Sequence, residues 1–129
     1  MNVTIKTVPN EQIKLRKGFT GCDWWWEQDN LIVLVAEELT DWRERMSLAM
    51  HEESEALICR HMGITHKMVD QFDEKYAIEN PFDKGSLGAG DCADAPYKIP
   101  HHFGTAIERI MTGAMNVDWK PYDERLSAL

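Results

Sequence analysis

The sequence predicts an α+β fold in which a small N-terminal antiparallel sheet packs against a bundle of about three helices. Three observations carry this. Strand-like stretches rich in β-branched and aromatic residues crowd positions 1–38, capped helical periodicity fills 41–62, 66–79 and 101–115, and a chain of 129 residues suits one domain.

The elements follow in order. Val3, Thr4, Ile5, Lys6, Thr7 and Val8 alternate in polarity until Pro9-Asn10 stops them, which reads as an outer strand. Asp23-Trp24-Trp25-Trp26-Glu27 and the apolar run 31–36 flank the polar connector Gln28-Asp29-Asn30, a hairpin pattern. Consecutive tryptophans in a strand point to alternate faces, so the sheet is either covered on both sides or lends one face to a binding groove. Thr40 and Asp41 are N-cap residues, and Asp41 has Glu44 at capping-box spacing. The helix they open ends before Gly63. Thr65 caps a second helix whose inner positions are Val69, Phe72 and Tyr76. Residues 80–100 hold several prolines and glycines, and so long a loop in a small domain is usually a functional lid or a mobile segment. His101 or His102 opens a third helix with Phe103, Ile107, Ile110 and Ala114 as its apolar side, and a short last helix has Pro121 near its first turn.

Composition excludes several functions. With 22 acidic against 14 basic residues and a net charge of −8, neither a nucleic acid nor an anionic membrane is an expected partner, whereas a metal ion or a protein or peptide substrate is compatible. The run 31–36 is far shorter than the roughly 20 residues of a membrane span, and the N-terminal residues have no apolar signal core. Three cysteines, Cys22, Cys59 and Cys92, include no C-x-x-C pair, so free thiols and a cytoplasmic location are expected.

On the first long helix Leu48, Glu52, Glu55, Cys59 and Met62 fall on one stripe. Two glutamates thus interrupt an apolar seam, and a carboxylate there costs several kcal/mol unless a metal, a cation or a proton compensates it. His51 lies one turn before Glu55, so imidazole and carboxylate reach the same point, with Glu52 beside both. A metal site with an open water position needs a third protein ligand. His102, at the margin of the apolar side of the third helix, is the expected one, while His101 points nearly opposite Phe103 and Ile110, towards solvent. Asp73 is a further candidate ligand, and Glu108 and Arg109 are candidates to hydrogen-bond to the ligands.

The segment His51-Glu52-x-x-Glu55 resembles the H-E-x-x-H helix of zincin metalloproteases, with glutamate in place of the second histidine. The resemblance implies a zincin-like fold, His51 and Glu55 as zinc ligands and Glu52 as general base. Manganese or magnesium also suits the carboxylate ligand. It implies a minimal metallopeptidase whose groove is a sheet edge with the tryptophans beside it, covered by the 80–100 loop as a lid. The tryptophan-rich strand, the H-E-x-x-E helix, Asp70-Gln71-Phe72-Asp73 and the pair Ala95-Pro96-Tyr97 and His102 also resemble small proteins of tailed phages and prophages, which implies a host-cell cytoplasm.

Three other readings stand beside the hydrolase. Glu52 and Glu55 form salt bridges with Arg45, Arg60 or Arg109 in a plain structural domain. Glu52-x-x-Glu55 with Asp70-x-x-Asp73 is similar to the paired acidic motifs of all-helical nucleotide pyrophosphatases, which use magnesium. A non-catalytic acidic phage protein would bind a host protein through its negative surface.

Overall fold

In the computed structural model, which describes residues 1–17, 20–81 and 88–129, the chain runs β1 (Asn2–Val8), α1 (Asn10–Lys17), β2 (Cys22–Glu27), β3 (Asn30–Ala36), α2 (Trp42–Met62), α3 (His66–Glu79), a 3-10 turn (Ala89–Asp91), α4 (Lys98–Ala114) and α5 (Trp119–Ser127). The sheet order is β1-β3-β2, so the apolar strand β3 is central and β1 is an outer strand, as its polarity pattern implies. β2 and β3 form the expected antiparallel hairpin, but β1 pairs with β3 in parallel, Asn2 against Asn30 through Val8 against Ala36. The antiparallel sheet read from sequence is therefore a mixed one. Parallel neighbours need a crossover, and the chain between them supplies it as α1, which packs on β2 and β3. This helix shows almost no hydrophobic period: Ile13 is fully buried, Leu15 is exposed and the other residues are polar.

Two apolar clusters line the two faces of the sheet. Ile32, Leu34 and Ala36 meet Ile13 and Trp25 on the α1 side. Leu31, Val33, Val35 and Trp24 meet Leu48, Ala49, Ala56 and Cys59 of α2 on the other, with Val69 and Tyr122. The tryptophans divide as the pleat requires: Trp24 and Trp26 face the helices, and Trp25 lies under the guanidinium of Arg16, 4.0 Å from its ring centre.

Capping fixes α2 at both ends. Asp41 accepts a hydrogen bond from the backbone N–H of Arg43, and Gly63 takes the left-handed conformation, φ 76°, that ends the helix. Glu44 does not complete a capping box; it is buried and paired with Arg125 of α5. Thr65 caps α3 through the N–H of Met68.

The third expected helix begins earlier, at Lys98, the short last helix is α5, and α1 is a helix beyond those expected. The orientation of that third helix is the larger correction. The buried face of α4 is Pro100, Gly104, Glu108 and Thr112, one residue every turn. The apolar side, Phe103 at 56 % exposure and Ile110 at 68 %, is turned outward, with Ile107 between. The reason is what α4 packs against: it runs antiparallel along α2, and α2 presents His51 and Glu55 to it. Residues 82–87, the middle of the expected lid, lie outside the described residues. No helix among those described is long and apolar enough to cross a membrane.

Candidate metal centre

α2 carries His51, Glu52 and Glu55, all buried. α4 brings His101 and Glu108 to the same place, because seven residues are close to two full turns and leave both on one face. Three donor atoms converge there. Glu55 Oε2 lies 3.0 Å from His101 Nδ1 and 3.3 Å from His51 Nε2, and the two nitrogens are 3.2 Å apart. These three residues form a group able to hold a metal ion, with every donor within 4.8 Å of the others.

His51 and Glu55 are fixed from behind. His51 Nδ1 is 2.8 Å from Glu108 Oε2, and the other oxygen of Glu108 accepts the hydroxyl of the buried Tyr122. A carboxylate oxygen can only accept, so Nδ1 of His51 carries the hydrogen and Nε2 faces Glu55 and His101. Burial and the Glu108 charge push the Tyr122 hydroxyl far above its ordinary pKa, which keeps it a donor. Glu55 Oε1 accepts the indole N–H of Trp24 at 2.9 Å, leaving Oε2 to the imidazoles. Two glycines make room for the rings. A Cβ at Gly104 would stand 2.9 Å from His51 Cδ2, and one at Gly90 2.5 Å from His101 Cγ.

Charge in the cluster is strongly coupled. Burial opposes ionisation of Glu55, yet hydrogen bonds from His101 and His51 hold its pKa at about 2. Burial likewise disfavours a charged His51, but the hydrogen bonds to Glu108 and Glu55 and the charge of Glu52 outweigh it and hold that imidazole well above its usual value. The site thus draws a positive charge to Nε2, which a proton or a metal ion can supply. The arginines considered as salt-bridge partners are engaged elsewhere: Arg45 donates to the Leu39 carbonyl, Arg60 pairs with Asp29 and Arg109 stacks on Trp119.

A cleft of about 170 Å³ opens beside the donors, lined by Cys22, Glu52, Glu55, Asp73, Tyr97 and His101 together with residues 88–90. The Cys22 thiol donates to Glu52 Oε1 at 3.1 Å, and burial and that carboxylate push the thiol well above its ordinary pKa. Asp73 Oδ1 accepts the Tyr97 hydroxyl.

No family model, curated protein or solved structure matches this chain. The centre is therefore read from its own geometry.

His51 and Glu55 come together as their one-turn spacing implies, and Glu52 and Asp73 line the adjoining cleft. His102, the expected third ligand, is instead half exposed and stands 3.4 Å from Asp91. His101 takes that place because the inner face of α4 is the opposite of its apolar side. The signal was present in the sequence: His101, Gly104 and Glu108 form a small-and-polar stripe matched to the polar stripe of α2. Of the two residues expected behind the ligands, Glu108 is there and Arg109 is not. Trp24 entered the sequence reading only as a possible groove wall and Tyr97 only within the Ala95-Pro96-Tyr97 resemblance, while Tyr122 gave no signal for a site, since buried aromatics usually mark a core.

Proposed function

We propose that His51, Glu55 and His101 hold a divalent metal ion, zinc before manganese or magnesium, and that the chain is a metal-dependent hydrolase of peptide-like bonds. The convergence of the three donors carries the reading. Tetrahedral zinc with bonds of about 2.0–2.1 Å separates its ligand atoms by roughly 3.3 Å, and the three separations here are 3.0, 3.2 and 3.3 Å. Two imidazoles favour zinc over magnesium, which prefers oxygen. Three protein ligands would leave a bound zinc one position for water, and the chemistry it would supply is a water whose pKa is lowered to about 7.

The chain's own groups supply the rest. The Glu108 carboxylate behind His51 orients the ring and raises its basicity. Glu52, at the wall of the same cleft and hydrogen-bonded by the Cys22 thiol, would be the base for a water activated by the metal. The magnesium-nucleotide alternative has less support. Asp73 lines the cleft but Asp70 does not, and the described lining contains no lysine or arginine to meet phosphates.

Elemental analysis of the purified protein tests the reading. The expected result is about one zinc per chain, lost in His51→Ala and His101→Ala but retained in His102→Ala. A native protein that takes up no metal, or an His101→Ala variant that keeps it, ends the proposal. With metal retained, Glu52→Gln is expected to abolish turnover of a peptide substrate.

A further inference from the structure

We propose that the cleft admits a substrate with a positively charged amino group beside the bond that is cut, as in a peptide with a free N-terminus, and that Asp73 receives that amine. The inference rests on the metal reading above and adds to it a substrate class and a residue.

The division of labour in the cleft leads there. Its described lining offers three carboxylates, Glu52, Glu55 and Asp73, with His101 as the single basic side chain. Glu55 belongs to the donor cluster and Glu52 stands next to His51 on α2, so both are absorbed by the metal and its water. Asp73 comes from α3, outside the cluster, and is buried in the wall of the same cleft. Its Oδ1 accepts the Tyr97 hydroxyl, which holds the carboxylate in place as an acceptor, the form that binds an ammonium group.

The Tyr97 ring packs edge-on to the ring of His101 at 6.2 Å between centres and its hydroxyl donates to Asp73, so one aromatic ring joins Asp73 to the donor cluster in the wall of the same cleft. In an N-terminal residue the amine is two covalent bonds from the carbonyl carbon, so both groups would enter this one small cleft together. The cleft volume of about 170 Å³ is small beside the roughly 300–1,000 Å³ of ordinary ligand pockets, so it fits one residue better than an extended chain. An anionic group in the same place would meet like charges, which costs several kcal/mol.

The reaction is a plain hydrolysis. Oxygen from water forms the new bond to the carbonyl carbon, the C–N bond breaks, and the proton taken by Glu52 passes to the leaving amine; nothing is oxidised or reduced.

The test compares two zinc-chelating probes, leucine hydroxamate and its N-acetyl derivative, by calorimetry on the full zinc-loaded chain at mildly acidic pH. The free amine is expected to strengthen binding about tenfold or more, a difference of about 1.4 kcal/mol. Asp73→Asn should bring the two probes within about twofold while zinc content is unchanged, and Tyr97→Phe, which removes the hydrogen bond from Tyr97 to Asp73, should narrow the gap in part. Equal affinity for both probes in the unsubstituted chain overturns the inference. Binding of neither probe by a chain that does hold zinc overturns it too. A chain that takes no zinc removes the metal reading first and this inference with it, so the two failures are told apart by the zinc content alone.

Discussion

The two nitrogens of His51 face different chemistry. Nδ1 is tied to Glu108, which is tied in turn to Tyr122, and Nε2 looks towards Glu55 and His101. That chain of contacts decides which tautomer can act as a ligand. Replacing Glu108 by glutamine keeps the size but removes the charge that fixes the Nδ1 hydrogen, so zinc affinity is expected to fall about 10–100-fold. Competition with a chromophoric chelator measures this; unchanged affinity would show that Glu108 only fills space. At this scale His51 and Glu55 were legible, because a one-turn spacing fixes their relation whatever surrounds the helix. His101 was not, because the side on which a residue of α4 ends up depends on what α4 meets.

Among the elements α4 is the most instructive. Its apolar side would ordinarily be placed against the core, yet Ile99, Phe103 and Ile110 are all more than half exposed. The inward face meets His51 and Glu55, and the polar pairing of His51 with Glu108, with the close approach at Gly104, outweighs the burial of a few apolar side chains. Ile110→Glu is accordingly expected to change unfolding free energy by no more than about 0.5 kcal/mol, against roughly 2–5 kcal/mol for losing a buried isoleucine side chain. Urea denaturation distinguishes these values. α2 and α3 were legible to within a residue or two, since Asp41, Gly63 and Thr65 are local stop and start signals that act through neighbouring backbone groups. α1 was not, because one buried apolar side chain, Ile13, anchors it and leaves no period to read.

For the molecule as a whole, the candidate centre sits where β2, α2, α3 and α4 meet, with α5 behind it through Tyr122. A ligand that joins α2 to α4 there should stabilise the entire fold by linkage. At free zinc about 1,000 times the dissociation constant the gain is about 4 kcal/mol, which for a chain of this size raises the melting temperature on the order of 10 °C. A chelator should reverse the shift and His51→Ala should abolish it. Thermal melts with and without zinc provide the check, and a melting temperature indifferent to zinc would contradict the metal centre.

The sequence by itself determined the α+β class, the hairpin, the bounds of α2 and α3, and the presence on α2 of a histidine and two glutamates where an apolar seam should run. These follow from local physics, namely backbone geometry, capping and the helical repeat, which act within a few residues. Only the tertiary structure decided that β1 runs parallel to β3, that α4 turns its apolar side outward and that His101 rather than His102 joins the cluster. Those outcomes depend on contacts between residues some 28 to 57 positions apart, such as Asn2 with Asn30 and His51 with Glu108. A local stripe such as His101, Gly104 and Glu108 marks a face without naming what it meets, because the energy of a buried polar pair exists only once both partners have been brought together.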